Sequence, residues 1–280
     1  MTYTGRGDAE TRNASDLLWN CWHHGRRLAT IPEEIRPRTR EDGYAVQARL
    51  EERTASPLFG WKIAATSVAG QKHINVTGPL AGRLLREKVV DLSEPGHGGA
   101  EFEFGVNHMK VAEAEFAFRI ARDLPPRSQP YSVDEVLAAV DALHPAIEVP
   151  DSRFDDFTIV GAPSLIADNA CAHQFVLGPA AKADWRSLDL VEHTAIGTVA
   201  VVSASSRTGE LTREGKGANV LGDPRVALAW LANELSGLGL TLKAGEVVTT
   251  GTCLVPLPIQ RGSTIDMDFG VLGRVSARMV

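Results

Sequence analysis

The sequence predicts a mixed α/β fold in which a helical N-terminal region, residues 1–56, caps a strand-rich body, residues 57–280. Three observations carry this expectation. Apolar residues recur at helical spacing near the N-terminus, short alternating runs bounded by glycine and proline fill the remainder, and only two or three helical stretches interrupt those runs. Strands and helices do not alternate regularly, so a mixed sheet or roll is expected rather than a wound βαβ array.

In chain order, residues 1–8 read as a loose polar tail. Leu17, Leu18, Cys21, Trp22 and Leu28 then mark an amphipathic helix ending near Thr30-Ile-Pro32. A second helix opens at Thr39, with Asp42 completing a capping box, and runs through Tyr44, Val46 and Leu50. Leu58 to Thr66 reads as a strand that carries Lys62, and Gly70 to Gly82 as a loop that carries His73. Glu101–Phe104 and Val111–Ile120 read as strands, and Ser132 with Glu135 caps a helix through Val136, Leu137, Val140 and Leu143. A short strand holding Glu148 lies between Pro145 and Pro150. Further strands are expected at 174–178 and 194–202, the latter returning through a turn at Arg207-Thr-Gly209. Asp223-Pro224 starts a helix, and three strands cover 246–250, 263–269 and 271–279.

Composition excludes several function classes. The chain has 280 residues and a net charge of −6 with both signs interspersed, so no basic stripe offers itself to nucleic acid. No apolar run is long enough for a membrane span and no apolar leader opens the chain. Cys21, Cys171 and Cys253 are scattered and odd in number, which fits reduced thiols and a cytoplasmic location. Glycine-rich phosphate loops and the nucleophile-elbow pattern are absent, so nucleotide and serine-hydrolase chemistry are disfavoured.

The unusual stretch is Val111–Ile120. On a strand, Glu113 and Glu115 share one face with Ala117, while Ala114, Phe116, Phe118 and Ile120 share the other. Two carboxylates roughly 7 Å apart on a half-buried face repel unless a cation joins them or the face meets water. Such hard oxygen donors suit Mg²⁺ or Mn²⁺ better than Zn²⁺. If its strand is central, Glu148 supplies a third anionic ligand, and if Lys62 faces inward it requires an anion.

Together these stretches resemble the fumarylacetoacetate hydrolase superfamily, most closely its branch of 2-keto-4-pentenoate hydratases and 4-oxalocrotonate decarboxylases. The resemblance runs in order through Gly60-Trp-Lys-Ile-Ala-Ala-Thr66, Ala112-Glu-Ala-Glu-Phe-Ala-Phe118, Pro145-Ala-Ile-Glu-Val-Pro-Asp-Ser-Arg153, Ala167-Asp-Asn169, Leu228–Leu235, Thr250-Gly-Thr252 and Phe269–Val275. It implies a mixed-sheet β-roll, a divalent metal (Mg²⁺ or Mn²⁺) on Glu113, Glu115 and Glu148, and a small 2-oxo acid substrate bound by Lys62, Asp168 and Asn169. It also implies a homo-oligomer, association with a related decarboxylase, and hydration of a 2-hydroxy-2,4-dienoate in aromatic-compound catabolism. C–C hydrolysis of an acylpyruvate, with His73 as base, ranks second, and decarboxylation third. The chain departs from the branch at Pro79-Leu-Ala-Gly82, where many hydratases carry Pro-Asp-Tyr-Gly; the acidic proton carrier is missing and the same loop offers His73.

Overall fold

A computed structural model describes residues 7–93, 99–203 and 206–280. Helix α1 (Asp8–His24) places Asp8 and Glu10 in its first turn, where the helix dipole favours anions. It stops at Gly25, whose φ of 63° provides the left-handed C-terminal cap, so it ends well before Thr30. Of the expected tail, residues 1–6 lie outside the described residues, and Asp8 already belongs to the helix. Helix α2 (Arg40–Ala48) starts with the capping box of Thr39 and Asp42. These two helices pack through Ala14, Leu18 and Val46 on Ile31, Phe154 and Ala167. Tyr44 also donates a 2.8 Å hydrogen bond to Glu234 of the body.

The body holds two sheets. Strands β1 (Gly60–Ala64), β2 (Leu80–Leu84), β3 (Val89–Asp91), β5 (Val111–Ile120), β6 (Val140–Val149), β7 (Gln174–Leu177) and β10 (Val247–Thr252) form the first, in the order β2-β1-β10-β5-β6-β7-β3. Strand β11 (Leu257–Pro258) joins it on β5. The second sheet has β4 (Ala100–Phe102), β8 (Thr194–Ser203), β9 (Ser206–Lys216), β12 (Ser263–Asp268) and β13 (Arg274–Met279), in the order β4-β13-β12-β8-β9. Pairing is parallel between β1 and β10, β3 and β7, and β4 and β13, and antiparallel elsewhere among the described strands. The result is the mixed α/β architecture expected.

Strand β5 divides the two environments. Ala114, Phe116, Phe118 and Ile120 enter the main core, where Phe116 meets Phe269, the residue just after β12, edge-on with ring centroids 5.1 Å apart. On the opposite face Ala117 packs with Leu84, Ala146, Phe175, Leu177 and Val247. Glu113 and Glu115 share that second face by strand alternation.

Several elements differ from expectation. The stretch 70–82 is not a continuous loop: helix α3 (Val68–His73), capped by Ser67, and strand β2 occupy most of it. Helix α4 (Val133–Leu137) is one turn long, and Val140 and Leu143 belong to β6, where a register shift against Arg119 and Ile120 lets residues three apart face the same core. Helix α5 (Gly161–Ala167) was not foreseen, having no side-chain cap to announce it. Arg207-Thr-Gly209 lies inside β9, whose pairing with β8 begins already at Ser206 opposite Ser203. Helix α6 (Pro224–Gly237) begins as expected, with Asp223 accepting from the Arg225 amide. Among the described residues no helix is long and apolar enough to cross a membrane.

Candidate metal centre and substrate cavity

Register assembles the site. Glu113 on β5 stands directly opposite Glu148 on β6, and antiparallel partners project to the same side. Lys62 reaches the same face through a chain of cross-strand neighbours, Lys62 to Thr249 to Ala117. One oxygen from each of Glu113, Glu115 and Glu148 therefore lies within 4.8 Å of the other two.

Each carboxylate is held differently. Glu115 accepts from the Thr249 hydroxyl and, at 2.8 Å, from the Gly251 amide, both through Oε2. Its Oε1 is buried without a hydrogen-bond partner. Glu148 Oε1 lies 3.0 Å from Lys62 Nζ, yet neither Glu148 oxygen receives a well-directed hydrogen bond. Glu113 forms part of the wall of a cavity of about 670 Å³. Buried oxygens left in this state are costly unless something electropositive meets them.

Electrostatics agree with the geometry. Burial, reinforced by Glu148, pushes the Glu113 carboxyl up to about 7, and burial with Glu113 pushes Glu115 up to about 7. Burial raises Glu148 to about 8 against the opposing pull of Lys62. Burial alone would depress Lys62, but Glu148, Glu113 and Glu115 outweigh it and hold its pKa above the ordinary value. Three carboxylates and one ammonium leave two negative charges, which a divalent cation would balance. The all-oxygen donor set, with three orphaned oxygens, fits such an ion.

Lys62 is oriented by an unusual backbone. Its Nζ donates to the Ala170 carbonyl at 3.1 Å, and Asn169, Ala170 and Cys171 hold φ of 54°, 49° and 62° in succession. Left-handed conformations cost a non-glycine residue about 1 kcal/mol or more each, so packing must hold them. Asn169 pins one end by exchanging hydrogen bonds with the Arg83 backbone at 2.6 and 2.9 Å. Asp168, just before the turn, secures the same end, accepting from Ser152 at 2.8 Å and from the fully buried Arg153. The structure thus turns Asp168 and Asn169 into the protein, while Lys62, Glu113 and His73 line the cavity. His73 ends α3, with its ring edge-on to Phe157 at 5.9 Å.

Sequence reasoning missed four contributors: Thr249, Gly251, Gly82 and the Ala170 carbonyl. A Cβ on Gly82 would stand 2.5 Å from the Asn169 carbonyl oxygen and 3.0 Å from Lys62 Cγ, so this glycine makes room for the lysine. That role is the signal available in Pro79-Leu-Ala-Gly82, where the missing acid had drawn attention instead.

Residues 48–280 match the fumarylacetoacetate (FAA) hydrolase C-terminal family. The chain belongs to that family. Among its relatives, the 2-hydroxyhexa-2,4-dienoate hydratase of Comamonas testosteroni is 32% identical over 263 residues, covering 92% of this chain and 93% of that protein. The 2-keto-4-pentenoate hydratase of Paraburkholderia xenovorans is 30% identical over 270 residues, 95% and 93% of the two chains. In structure, the fumarylacetoacetate hydrolase fold seen here matches the 4-oxalocrotonate decarboxylase of Pseudomonas putida G7, complexed with magnesium and adipate. That match has a TM-score of 0.83 and 26% identity, covering 99% of this chain and 100% of the other.

Proposed function

We propose that the protein hydrates a 2-hydroxy-2,4-dienoate to a 4-hydroxy-2-oxo acid, with a divalent ion, Mg²⁺ or Mn²⁺, on Glu113, Glu115 and Glu148. The observation that carries this reading is the convergence of the half-buried Glu113 and the buried Glu115 and Glu148 with Lys62, beside a cavity that Glu113 and Lys62 line. When bound, the ion would supply Lewis-acid polarisation of the substrate's C1 carboxylate and C2 oxygen.

The chain's own residues account for the remainder. Lys62, held charged by its three acidic neighbours and aimed by Ala170, attracts the substrate carboxylate and stabilises negative charge as the dienol loses its O–H proton. That proton, or its equivalent, is delivered to C5, after which water adds its oxygen to C4 and a proton to C3. His73, which lines the cavity and can both accept and donate a proton near neutral pH, is the group assigned to carry these protons. Thr249 and Gly251 hold Glu115 in place throughout.

Decarboxylation of a 4-oxalocrotonate-type acid is the second reading, favoured by the full-length structural match to such an enzyme. Hydrolysis of an acylpyruvate would use the same centre with His73 activating water. Product analysis in Mg²⁺ separates the three. A 4-hydroxy-2-oxo acid is expected from 2-hydroxypenta-2,4-dienoate. Release of CO₂ from 4-oxalocrotonate, or of pyruvate from an acylpyruvate, without hydration of the dienoate would overturn the proposal. The three free, buried cysteines suit a reducing cytoplasm, and we place the protein there as a homo-oligomer able to associate with a related decarboxylase.

A further inference from the structure

We infer that the cavity takes dienoates whose far end is an extended apolar group, alkyl or alicyclic, and discriminates against a second carboxylate. This rests on the hydratase reading and goes beyond it by naming the substrate's distal chemistry. The first observation is the wall. Away from the carboxylates its apolar part includes Met109, Val111, Phe157, Leu165, Leu254 and Val255. The second is that several of its polar side chains already bond the protein itself. Asn219 donates to the Cys253 carbonyl at 2.7 Å, Thr252 donates to the Leu254 carbonyl at 2.7 Å, and Ser67 accepts from the Gly70 amide at 3.0 Å. Lys62 is committed to Glu148 and Ala170. Among the described lining residues only Lys62 and His73 can carry positive charge, and no arginine is present. With Lys62 at the C1 end and His73 assigned to proton transfer, a distal carboxylate would lose its hydration without gaining an arginine or a further lysine as partner.

The third observation is size. A cavity of about 670 Å³ falls in the range that encloses drug-sized ligands, whereas a pentadienoate has only about eight non-hydrogen atoms. The unfilled part is the apolar part, so additional methylenes are buried there at about threefold to fourfold in affinity each.

The test separates this inference from the hydratase reading by measuring binding without turnover. Saturated 2-oxo acids cannot be hydrated, so calorimetric titration of the full chain in Mg²⁺ with 2-oxopentanoate, 2-oxohexanoate, 2-oxooctanoate and 2-oxoadipate reads the cavity alone. Dissociation constants should fall about threefold to fourfold per methylene along the monoacids, with 2-oxoadipate bound at least tenfold more weakly than 2-oxohexanoate. Val255 is 65% exposed on the wall, so V255R should fold normally, flatten the series and strengthen 2-oxoadipate binding. Equal affinities along the monoacids, or tighter binding of 2-oxoadipate by the unaltered chain, would overturn the inference while leaving hydration intact. A rising series without dienoate turnover would uphold it and remove the hydratase reading. No binding of any oxo acid would overturn both.

Discussion

Lys62 Nζ and the Ala170 carbonyl oxygen meet at 3.1 Å, which joins a strand of the central sheet to three consecutive left-handed residues. The ammonium is thereby aimed by backbone as well as by the Glu148 carboxylate, 3.0 Å away. Replacing it in Lys62→Met should lower kcat/KM by about 10²–10³-fold, the effect of removing one electrostatic contact at a developing charge. Calorimetric titration of the variant should still show a bound divalent ion, because the carboxylates remain. Turnover within tenfold of the unaltered enzyme would count against the role given to Lys62.

Gly82 faces that lysine across β2 and β1. Gly82→Ala forces its methyl against the Asn169 carbonyl and should destabilise the fold by about 1–3 kcal/mol, the range for overpacking. Activity should fall by more than the unfolded fraction explains, since Lys62 is displaced. Urea unfolding read beside kcat separates the two effects.

The carboxylate cluster makes a prediction about metal. Glu113→Gln removes one negative charge and one ligand from the wall, so the metal-free protein should melt no lower than the parent. The rise in Tm that the parent shows on adding Mg²⁺ should vanish, as stabilisation by a bound ion requires binding to the native state. A preserved Mg²⁺ shift would remove Glu113 from the ligand set.

Asp168 and Arg153 form a buried pair beneath the left-handed turn. Removing one partner leaves the other charge unmatched, so Asp168→Ala should cost about 3–5 kcal/mol. If the pair positions the turn, the surviving folded fraction should show a lowered kcat with little change in KM.

His173 predicts acid sensitivity. Burial first, then Lys88, Arg153 and Arg27, push its pKa down to about 3 from an ordinary 6.5, and its Nδ1 accepts from Trp22 Nε1 at 2.8 Å. A folded value below the unfolded one means that stability is fully present above about pH 6.5 and is lost progressively as pH falls toward 3. His173→Gln keeps an acceptor for Trp22 but cannot gain that proton. Its Tm should drop less than the parent's between pH 7 and pH 4.5, by differential scanning calorimetry; parallel curves would contradict the assignment.

The parts legible in the sequence are those with local signals. Thr39 with Asp42 and Asp223 with Pro224 announced helix starts, and alternation in Val111–Ile120 put Glu113 and Glu115 on one face. Of the two prolines expected to bound the Glu148 strand only Pro150 does so; Pro145 lies inside the longer β6, which places Glu148 opposite Glu113. What stayed hidden depends on contacts distant in sequence. Nothing in Asn169-Ala-Cys171 advertises left-handed backbone, because no glycine is there; tertiary hydrogen bonds from Asp168 and Asn169 impose it. For the same reason those two polar side chains read as candidates for substrate, although their partners are Arg153 and the Arg83 backbone. Helix α5 lacks a cap, and α3 is too short for periodicity to show.

The parallel pairing of β1 with β10 also sets a timetable for biosynthesis. While the nascent chain is still on the ribosome, β5 and β6 can already lie side by side with their acids exposed. The Thr249 hydroxyl and Gly251 amide that steady Glu115 are synthesised well after both of those strands. An ion captured earlier would find an unfinished cradle, so loading of a divalent ion is expected to follow synthesis of β10 rather than to guide the pairing of β5 with β6.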